Sequence, residues 1–290
     1  MKVGYVAIVG KPNTGKSTLL NRLLNFKLAA VSPKPQTTRK RVLGILNGED
    51  YQIIFLDTPG ILKPKHKLHE RMVKTIDESI YDADIVLVMV DVEQQQIEEK
   101  LLSELKTIDK PCLLAINKID TIKKDLLLPM IEEYSHLFSF KEIIPISALR
   151  GDGVEDLLSA IISYLPEGTP FFSEDILTTD LERDIVAEII REKLFLFYGE
   201  EIPYATAVEI EEFAEEQERK KVYIRAVIFV DKDSQKGILI GKGGRALKRV
   251  GKTAREEIEM LIGRPVFLDL WVKVRRGWRN DERMLRELGY

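Results

Sequence analysis

Eight residues near the start of the chain, Gly10-Lys11-Pro12-Asn13-Thr14-Gly15-Lys16-Ser17, match the pattern G-x-x-x-x-G-K-[ST]. A short apolar segment, residues 3–9, precedes them, and the apolar spacing that follows Thr18 predicts a helix. In a strand–loop–helix context such glycines let backbone N–H groups turn inward, and the helix N-terminus adds partial positive charge. The pattern therefore predicts a phosphate-binding loop that includes Thr18. Lys16 would reach the phosphates and the Ser17 hydroxyl would ligate Mg²⁺.

Four further apolar segments in residues 1–166 end at polar residues. The segments are residues 52–56, 85–90, 112–116 and 143–146, and they end at Asp57, Asp91, Asn117 and Ser147. Helical patterns such as residues 97–108 and 126–137 lie between them. Apolar strands alternating with amphipathic helices predict an α/β domain with a mainly parallel sheet, which binds ligands at the carboxyl ends of its strands.

The segment Asp57-Thr58-Pro59-Gly60 begins 40 residues after Ser17. A carboxylate at the end of this strand can hold Mg²⁺ through water. The Gly60 amide can meet the terminal phosphate of a nucleotide. The spacing therefore adds Asp57, Thr58, Pro59 and Gly60 to the predicted nucleotide site.

Two later motifs indicate which base is bound. In Asn117-Lys118-Ile119-Asp120, the Asp120 carboxylate can accept hydrogen bonds from guanine N1–H and the exocyclic amine, a donor pair that adenine lacks. Asn117 can tie this loop to the phosphate loop, and the Lys118 stem can cover the ring. In Ser147-Ala148-Leu149 the Ala148 amide can meet guanine O6. These motifs predict a guanine nucleotide.

Together the motifs resemble those of translation-factor-class small GTPases. Pro12-Asn13 and Gln36-Thr37-Thr38-Arg39 resemble the Era/MnmE/Der branch of that class. The resemblance implies GTP as substrate and GDP as product. It also implies a threonine that closes over Mg²⁺ and the γ-phosphate, for which Thr38 is the first choice and Thr37 the second. Residues 33–41 also read as a charged mobile loop, which is compatible with a nucleotide switch.

One residue departs from the Ras-like pattern. A glutamine that orients the attacking water would follow Gly60, but this chain has Ile61, which carries no polar atom. The resemblance offers Asn13, whose counterpart coordinates a monovalent cation, so K⁺ is a candidate cofactor beside Mg²⁺. The alternative is that Asn13 only shapes the loop. The expected catalytic set is Lys16, Thr38, Asn13 and Gly60, and slow basal hydrolysis follows under either reading.

The distribution of charged residues and turn residues along the chain indicates two domains. The net charge is −3, yet residues 236–279 carry 12 Lys/Arg against 4 Asp/Glu. The turn-rich, acidic residues 167–180 predict a linker between a domain at 1–166 and a second at 181–290. The single Cys112 excludes an intramolecular disulfide and a cysteine zinc cluster. With no run of about 20 apolar residues and no signal-peptide pattern, a cytoplasmic location is expected.

A second glycine-rich motif, Ile240-Gly241-Lys242-Gly243-Gly244, opens a basic helix over residues 245–261. Strands are predicted at 205–210, 222–230 and 266–274, with a charged connection at 211–221 and a turn at 237–240. This α+β layout resembles a KH domain, which implies that Lys242, Arg245 and Lys248 meet RNA phosphates.

The KH resemblance also implies an apolar groove for bases, assigned here to Ile238 and Ile240. Trp271 alternates with its strand and is interpreted as a core residue. The alternatives for the glycine-rich motif are a second phosphate-binding loop or a solvated helix start.

A GTPase domain followed by a KH domain resembles the ribosome-assembly GTPases of this branch. That resemblance implies binding near the 3′ end of 16S rRNA on the small ribosomal subunit, with RNA captured in the GTP state and released on hydrolysis. A monomer is expected, and any association with the inner membrane would be peripheral. Two alternatives stay open: an RNA-binding scaffold with GTP as a structural ligand, and a membrane-linked signalling protein.

Overall fold

A computed structural model describes residues 1–94, 96–216 and 221–290 of the chain. They form two compact units. The first comprises Met1–Ala29, Thr38–Pro64 and His69–Thr179, and the second comprises Ala30–Thr37, Lys65–Leu68 and Asp180–Tyr290.

The first unit contains a six-stranded sheet. Its strands are Lys2–Gly10 (β1), Val42–Asn47 (β2), Tyr51–Asp57 (β3), Ile85–Asp91 (β4), Cys112–Asn117 (β5) and Glu142–Pro145 (β6). The order is β2-β3-β1-β4-β5-β6, and every neighbouring pair is parallel except β2 and β3. The five predicted parallel strands are present. β2 was not predicted, although Val42-Leu43-Gly44-Ile45-Leu46 is an apolar run; it is an antiparallel edge strand in which only Gly44 and Ile45 are buried.

Five α-helices among the described residues accompany this sheet. They are Lys16–Leu24 (α1), Lys67–Asp82 (α2), Glu99–Leu105 (α3), Leu127–Leu137 (α4) and Val154–Tyr164 (α5). Strands β4 and β5 are buried along their whole length, as expected for parallel strands covered on both faces. The register pairs Ile8 with Asp57 and Asp91 with Asn117, so the polar strand ends meet at one edge of the sheet.

The segment predicted as a linker is packed against the first unit as far as residue 179. The side-chain oxygen of Gln52 accepts from the backbone amides of Phe171 and Phe172, at 2.7 and 3.0 Å. The Thr178 hydroxyl donates to the Leu43 carbonyl at 2.6 Å, and Ile45 donates to the carbonyl of residue 177. These hydrogen bonds join the segment to β2 and β3. The acidic, turn-rich residues up to 179 are therefore bound to the edge of the sheet.

The second unit pairs helices with a three-stranded sheet. Its helices are Glu182–Phe197 (α6), Ile202–Ala205 (α7), Asp233–Ile240 (α8), Arg245–Ile262 (α9) and Glu282–Glu287 (α10), and its strands are Ala207–Glu216 (β7), Lys221–Val230 (β8) and Val266–Val274 (β9). β8 lies between antiparallel β7 and parallel β9. Helices α6 and α9 contact each other and the sheet, and α9 buries Val250, Ala254 and Ile258 at helical spacing.

Two predicted connections are partly wrong. In the predicted charged connection at 211–221, residues 211–216 continue β7 and residue 221 begins β8, while residues 217–220 lie outside the described residues. The predicted turn at 237–240 is the last part of α8, in which Leu239 is buried. Tertiary packing stabilises both elements, and their local sequence carries too little apolar periodicity to predict them.

The prediction that Trp271 belongs to the core is wrong. In β9, Val266 and Val272 are buried, whereas Trp271 is 55% exposed. Alternate residues of a strand point to opposite faces, and Trp271 lies on the face opposite the buried valines. The other tryptophan, Trp278, is 1% exposed and donates its indole N–H to the Ala205 carbonyl at 2.9 Å.

Within the described residues, no helix has the length and apolar character needed to cross a membrane.

Candidate functional site

The glycine-rich loop between β1 and α1 is held in a shape that requires particular residue types. Gly15 has φ 97°, and a Cβ there would lie 2.2 Å from the side-chain nitrogen of Asn117. Asn13 has φ 65°, a left-handed conformation that asparagine tolerates better than most residues. The buried Lys16 ammonium donates to the carbonyls of Gly10 and Lys11 at 3.1 and 2.9 Å. Burial lowers the pKa of Lys16 to about 8, although Asp57 opposes the shift.

Oxygen atoms from three segments meet beside this loop. The Ser17 hydroxyl donates to Oδ2 of Asp57 at 2.6 Å and lies 2.8 Å from the Thr38 hydroxyl. Asp57 is fully buried, and its Oδ1 has no hydrogen-bond partner. Burial raises the pKa of Asp57 to about 6, while Lys16 and the Ser17 hydrogen bond lower it. An orphaned carboxylate oxygen beside two hydroxyls is a donor set that suits Mg²⁺.

Thr37, the second choice for the switch threonine, faces other partners. Its hydroxyl donates to the Lys34 carbonyl at 2.8 Å and lies 2.6 Å from the Ser32 hydroxyl. The structure therefore brings Thr38, and not Thr37, to Ser17 and Asp57.

The loop after β3 is fitted against the phosphate-binding loop. The Thr58 hydroxyl donates to the Ile8 carbonyl at 2.7 Å, and the Ile61 amide donates to the Gly10 carbonyl at 3.1 Å. A Cβ on Gly60 would lie 2.6 Å from the backbone of Pro12, so only glycine allows this approach. The Ile61 side chain packs against the hydrophobic core. The residue that follows Gly60, where a water-orienting glutamine would lie, is therefore apolar.

Asn117 connects the phosphate-binding loop to the loop after β6. Its Nδ2 donates to the Thr14 carbonyl at 2.7 Å, and its Oδ1 accepts from the Ala148 amide at 2.9 Å. The tie predicted for Asn117 is therefore present. The Ala148 amide, expected to meet guanine O6, already has this partner, so a base must share it. Oδ1 of Asp120 accepts from the Ser147 hydroxyl at 2.7 Å.

The second glycine-rich motif forms an exposed loop between α8 and α9. Gly241, Gly243 and Gly244 have φ values of 71°, 62° and 75°, all in the left-handed region that favours glycine. Lys242, Gly243, Arg245 and Lys248 are exposed, and the Arg245 side chain donates to the Lys242 carbonyl at 3.2 Å. The loop thus presents backbone and basic side chains on one surface.

A groove continues from this loop between α9 and β9. It is lined by Gly244, Arg245, Leu247, Lys248, Arg249, Gly251, Lys252, Arg255, Leu268 and Leu270. A Cβ on Gly251 would lie 3.3 Å from the Leu270 side chain, so glycine allows the helix to approach the strand there. The apolar lining therefore comes from α9 and β9. Ile238 and Ile240, to which the apolar lining was assigned, lie on α8 and do not line this groove; Ile238 is 54% exposed, and their contact with bases stays a prediction.

Two family models match the chain. One, described as a 50S ribosome-binding GTPase, matches residues 5–118, and a KH domain model matches residues 201–279. Two solved structures are each 45% identical, with a TM-score of 0.97 and coverage of 100% of this chain and 99% of theirs. They are an Aquifex aeolicus Era variant bound to GDP·AlF4⁻, and Era in complex with MgGDPNP and nucleotides 1506–1542 of 16S ribosomal RNA. This chain belongs to the Era family.

Membership of the Era family confirms the predicted fold class: an α/β P-loop GTPase domain with a mainly parallel sheet, followed by an α+β KH domain. It also confirms the prediction that the chain is a GTPase. The individual site residues and the domain boundaries stay predictions.

The structure adds residues to the Era-family site that sequence reasoning missed. Oδ2 of buried Asp91 accepts from the Lys118 ammonium at 2.7 Å, which fixes the end of the Lys118 stem. Arg150 lies 3.4 Å from the second Asp120 oxygen, and Arg22 donates to the Ala148 carbonyl at 3.2 Å. Asp91 could have been assigned to the site from the sequence, because it ends a parallel strand beside the one that ends at Asn117. Nothing in the local sequence points to Arg22 or Arg150.

The remaining predicted nucleotide contacts are distributed around the loop. The Lys11 ammonium lies 3.6 Å from the Glu98 carboxylate, and the Thr14 hydroxyl donates to the Lys11 carbonyl at 3.0 Å. Thr18 lies in the first turn of α1. The Leu149 side chain is exposed, and its carbonyl accepts from Arg22.

Proposed function

We propose that this chain is a GTP-hydrolysing, RNA-binding protein that acts in small ribosomal subunit assembly and binds near the 3′ end of 16S rRNA. The observation that carries the proposal is the meeting of Ser17, Thr38 and Asp57 beside the phosphate-binding loop. The full-length match to Era, whose solved complex holds MgGDPNP and nucleotides 1506–1542, supplies the ligands.

Ser17, Thr38 and Asp57 are the proposed residues that hold Mg²⁺. When bound, Mg²⁺ bridges phosphate oxygens and offsets the charge that develops during phosphoryl transfer. When a nucleotide binds, Lys16 would donate to phosphate oxygens in place of the Gly10 and Lys11 carbonyls. The negative charge of the phosphates would raise the pKa of Lys16, against the lowering effect of burial. The Gly60 amide is the proposed donor to the γ-phosphate.

Asn13 is the proposed ligand for K⁺ beside the phosphates. Ile61 packs against the core and cannot orient water, so a second positive charge is needed to accelerate hydrolysis. The left-handed conformation of Asn13 supports the alternative role of shaping the loop as well. The two roles are separable by the choice of substitution at this position.

Asp120 is the proposed reader of guanine. The Ser147 hydroxyl and Arg150 hold its two oxygens in place, and Asn117 and Lys118 fix the surrounding loop. A carboxylate held in one orientation can receive the paired donors of guanine without further reorganisation.

The groove between α9 and β9 is the proposed RNA site. Lys242, Arg245 and Lys248 would meet phosphates, and the apolar lining from Leu247, Leu268 and Leu270 would receive bases. Lys273 at the end of β9 and Arg279 after it contribute less, because Lys273 pairs with Glu211 at 2.6 Å and Arg279 with Asp231 at 2.6 Å.

We place this protein in the cytoplasm as a monomer, with any membrane association peripheral. Its single cysteine, Cys112, cannot form an intramolecular disulfide, which suits a reducing compartment.

Phosphate release over many turnovers tests the enzymatic part of this proposal. With Mg²⁺, K⁺ and excess GTP, we expect slow continuous release that Lys16→Ala abolishes. Release that stops after one equivalent would favour a scaffold that holds GTP as a structural ligand.

Binding of RNA tests the second part. RNA containing 16S nucleotides 1506–1542 should bind more tightly than a shuffled RNA of equal length and composition. Equal affinity for both would reject recognition of this RNA segment.

A further inference from the structure

The three-stranded sheet of the second unit carries aromatic rings on the face opposite its buried valines. In β9, Phe267 and Trp271 are 50% and 55% exposed, whereas Val266 and Val272 are buried. Two large rings are therefore exposed on the same face of one strand.

The neighbouring strand extends this aromatic face. The register pairs Tyr223 of β8 with Phe267, and their rings stack with centroids 5.7 Å apart and planes inclined by 11°. The Lys221 ammonium lies 5.0 Å from the Phe267 ring centroid, and the Arg225 guanidinium lies 5.5 Å from that of Tyr223. The face therefore combines aromatic rings with cations in contact with them.

One carboxylate holds the polar edges of these rings. Oδ2 of Asp269 accepts from the Trp271 indole N–H at 2.8 Å and from the Tyr223 hydroxyl at 3.2 Å. Arg225 donates to the Tyr223 hydroxyl at 2.8 Å and lies within 3.5 Å of Asp269. Because its indole N–H is already bonded, the half-exposed Trp271 can offer its π surface to a ligand without losing this hydrogen bond.

We propose that this aromatic face is a second binding surface for single-stranded RNA, on which bases stack. The inference rests on the proposed RNA-binding function. β9 is the edge strand of the sheet, and its Leu268 and Leu270 line the groove while Phe267 and Trp271 lie on the other face. An RNA strand that leaves the groove across this edge therefore reaches the rings directly.

The chemistry of the face favours RNA bases over an apolar protein segment. Bases stack on aromatic side chains and on arginine planes, and this binding is tolerant of sequence. The charge of Arg225 is offset by Asp269 and by Glu212, which lies 3.3 Å from it. Stacking, and not phosphate attraction, should therefore supply the affinity of this face.

The test compares two RNA lengths. A tetranucleotide fills only the groove, whereas an RNA of about twelve nucleotides can also reach the face. In the full-length protein, Trp271→Ala should weaken binding of the longer RNA roughly 5- to 150-fold, the range for loss of one stacked base. Binding of the tetranucleotide should not change, and Trp271→Phe should restore most of the loss.

Salt dependence separates stacking from phosphate contact. Trp271→Ala should leave the slope of log affinity against log salt unchanged, whereas Lys248→Ala in the groove should lower the slope by about 0.7. Equal length dependence in the parent protein and Trp271→Ala would overturn the inference. Loss of small-subunit binding with unchanged RNA affinity would also overturn it, by assigning the face to a protein partner.

The two proposals fail in different ways. If Lys242→Asp with Gly243→Asp leaves binding of both RNAs intact, the groove assignment fails, whatever Trp271→Ala does. If neither RNA binds the parent protein, both proposals fall. Trp271 is half exposed, so its replacement should not unfold the unit, and thermal unfolding of each variant checks this.

Discussion

Asp120 is the residue on which base selection depends. Its Oδ1 is held by the Ser147 hydroxyl, and the proposed role of the carboxylate is to accept from guanine N1–H and the exocyclic amine. Asp120→Asn should weaken GTP binding by roughly 1.5–3 kcal/mol, because hydrogen bonds to a charged acceptor are lost. The variant should shift its preference toward xanthosine triphosphate, whose 2-oxo group accepts from an amide. Competition binding measures both effects, and unchanged GTP affinity would remove Asp120 from this role.

Asn13 is the proposed K⁺ ligand, and its backbone has the left-handed conformation. GTP hydrolysis by the parent protein should be faster in K⁺ than in Na⁺ at equal ionic strength. Asn13→Gly keeps φ 65° accessible and should erase this difference while GDP binding stays nearly intact. Asn13→Ala should erase it and also strain the loop by about 1–2 kcal/mol. Equal rates of the parent protein in the two salts would leave Asn13 as a loop residue only.

At the scale of elements, the loop between α8 and α9 can be tested apart from its helices. Lys242→Asp with Gly243→Asp should abolish RNA binding, because two carboxylates would face the phosphate backbone. Gly243 has φ 62°, and a Cβ there meets no atom within 4 Å, so strain is the only structural cost. Gly243→Asn is the matched control, since asparagine tolerates this conformation without adding charge.

GTP affinity serves as the second control for the loop variants. The loop belongs to the second unit and the nucleotide site to the first. GTP binding by the double variant should therefore match that of the parent protein in an equilibrium titration. If RNA binding survived in the double variant with a normal salt slope, the RNA surface would have to be sought elsewhere, first at residues 273–279.

For the whole molecule, nucleotide and RNA should bind with reciprocal coupling. The chain passes from the second unit into the first between Thr37 and Thr38, and Thr38 lies at the proposed Mg²⁺ site. GTP should raise RNA affinity by about 1–3 kcal/mol, and RNA must raise GTP affinity by the same factor. Thr38→Ala should reduce that factor toward one and leave RNA binding in the GDP state unchanged.

Two RNA titrations measure this coupling, one with GDP-bound protein and one with protein bound to a non-hydrolysable GTP analogue. A difference in affinity in the parent protein that disappears in Thr38→Ala is the expected outcome. Identical affinities in the parent protein would show two independent domains, and a GTP-timed capture of RNA would have to be abandoned.

The sequence by itself determined the features that depend on local pattern. A phosphate-binding loop is built from consecutive backbone amides, so its glycines and lysine are adjacent in the chain. Buried parallel strands are continuous apolar runs, so five of the six strands and their polar ends could be predicted. The tie from Asn117 to the phosphate loop follows from the same rule, because strand ends meet at one edge of the sheet.

Only the tertiary structure decided which neighbour in the chain faces which partner. Thr37 and Thr38 are adjacent and chemically identical, and the path of the loop alone brings one of them to Ser17. The groove lining and the exposure of Trp271 depend on which face of β9 the helices cover. The alternation of β9 does carry a signal, because positions 266, 268, 270, 272 and 274 are all apolar whereas Trp271 shares its face with Asp269 and Lys273. The choice between Thr37 and Thr38 has no such local signal, because it arises from packing between residues far apart in the chain.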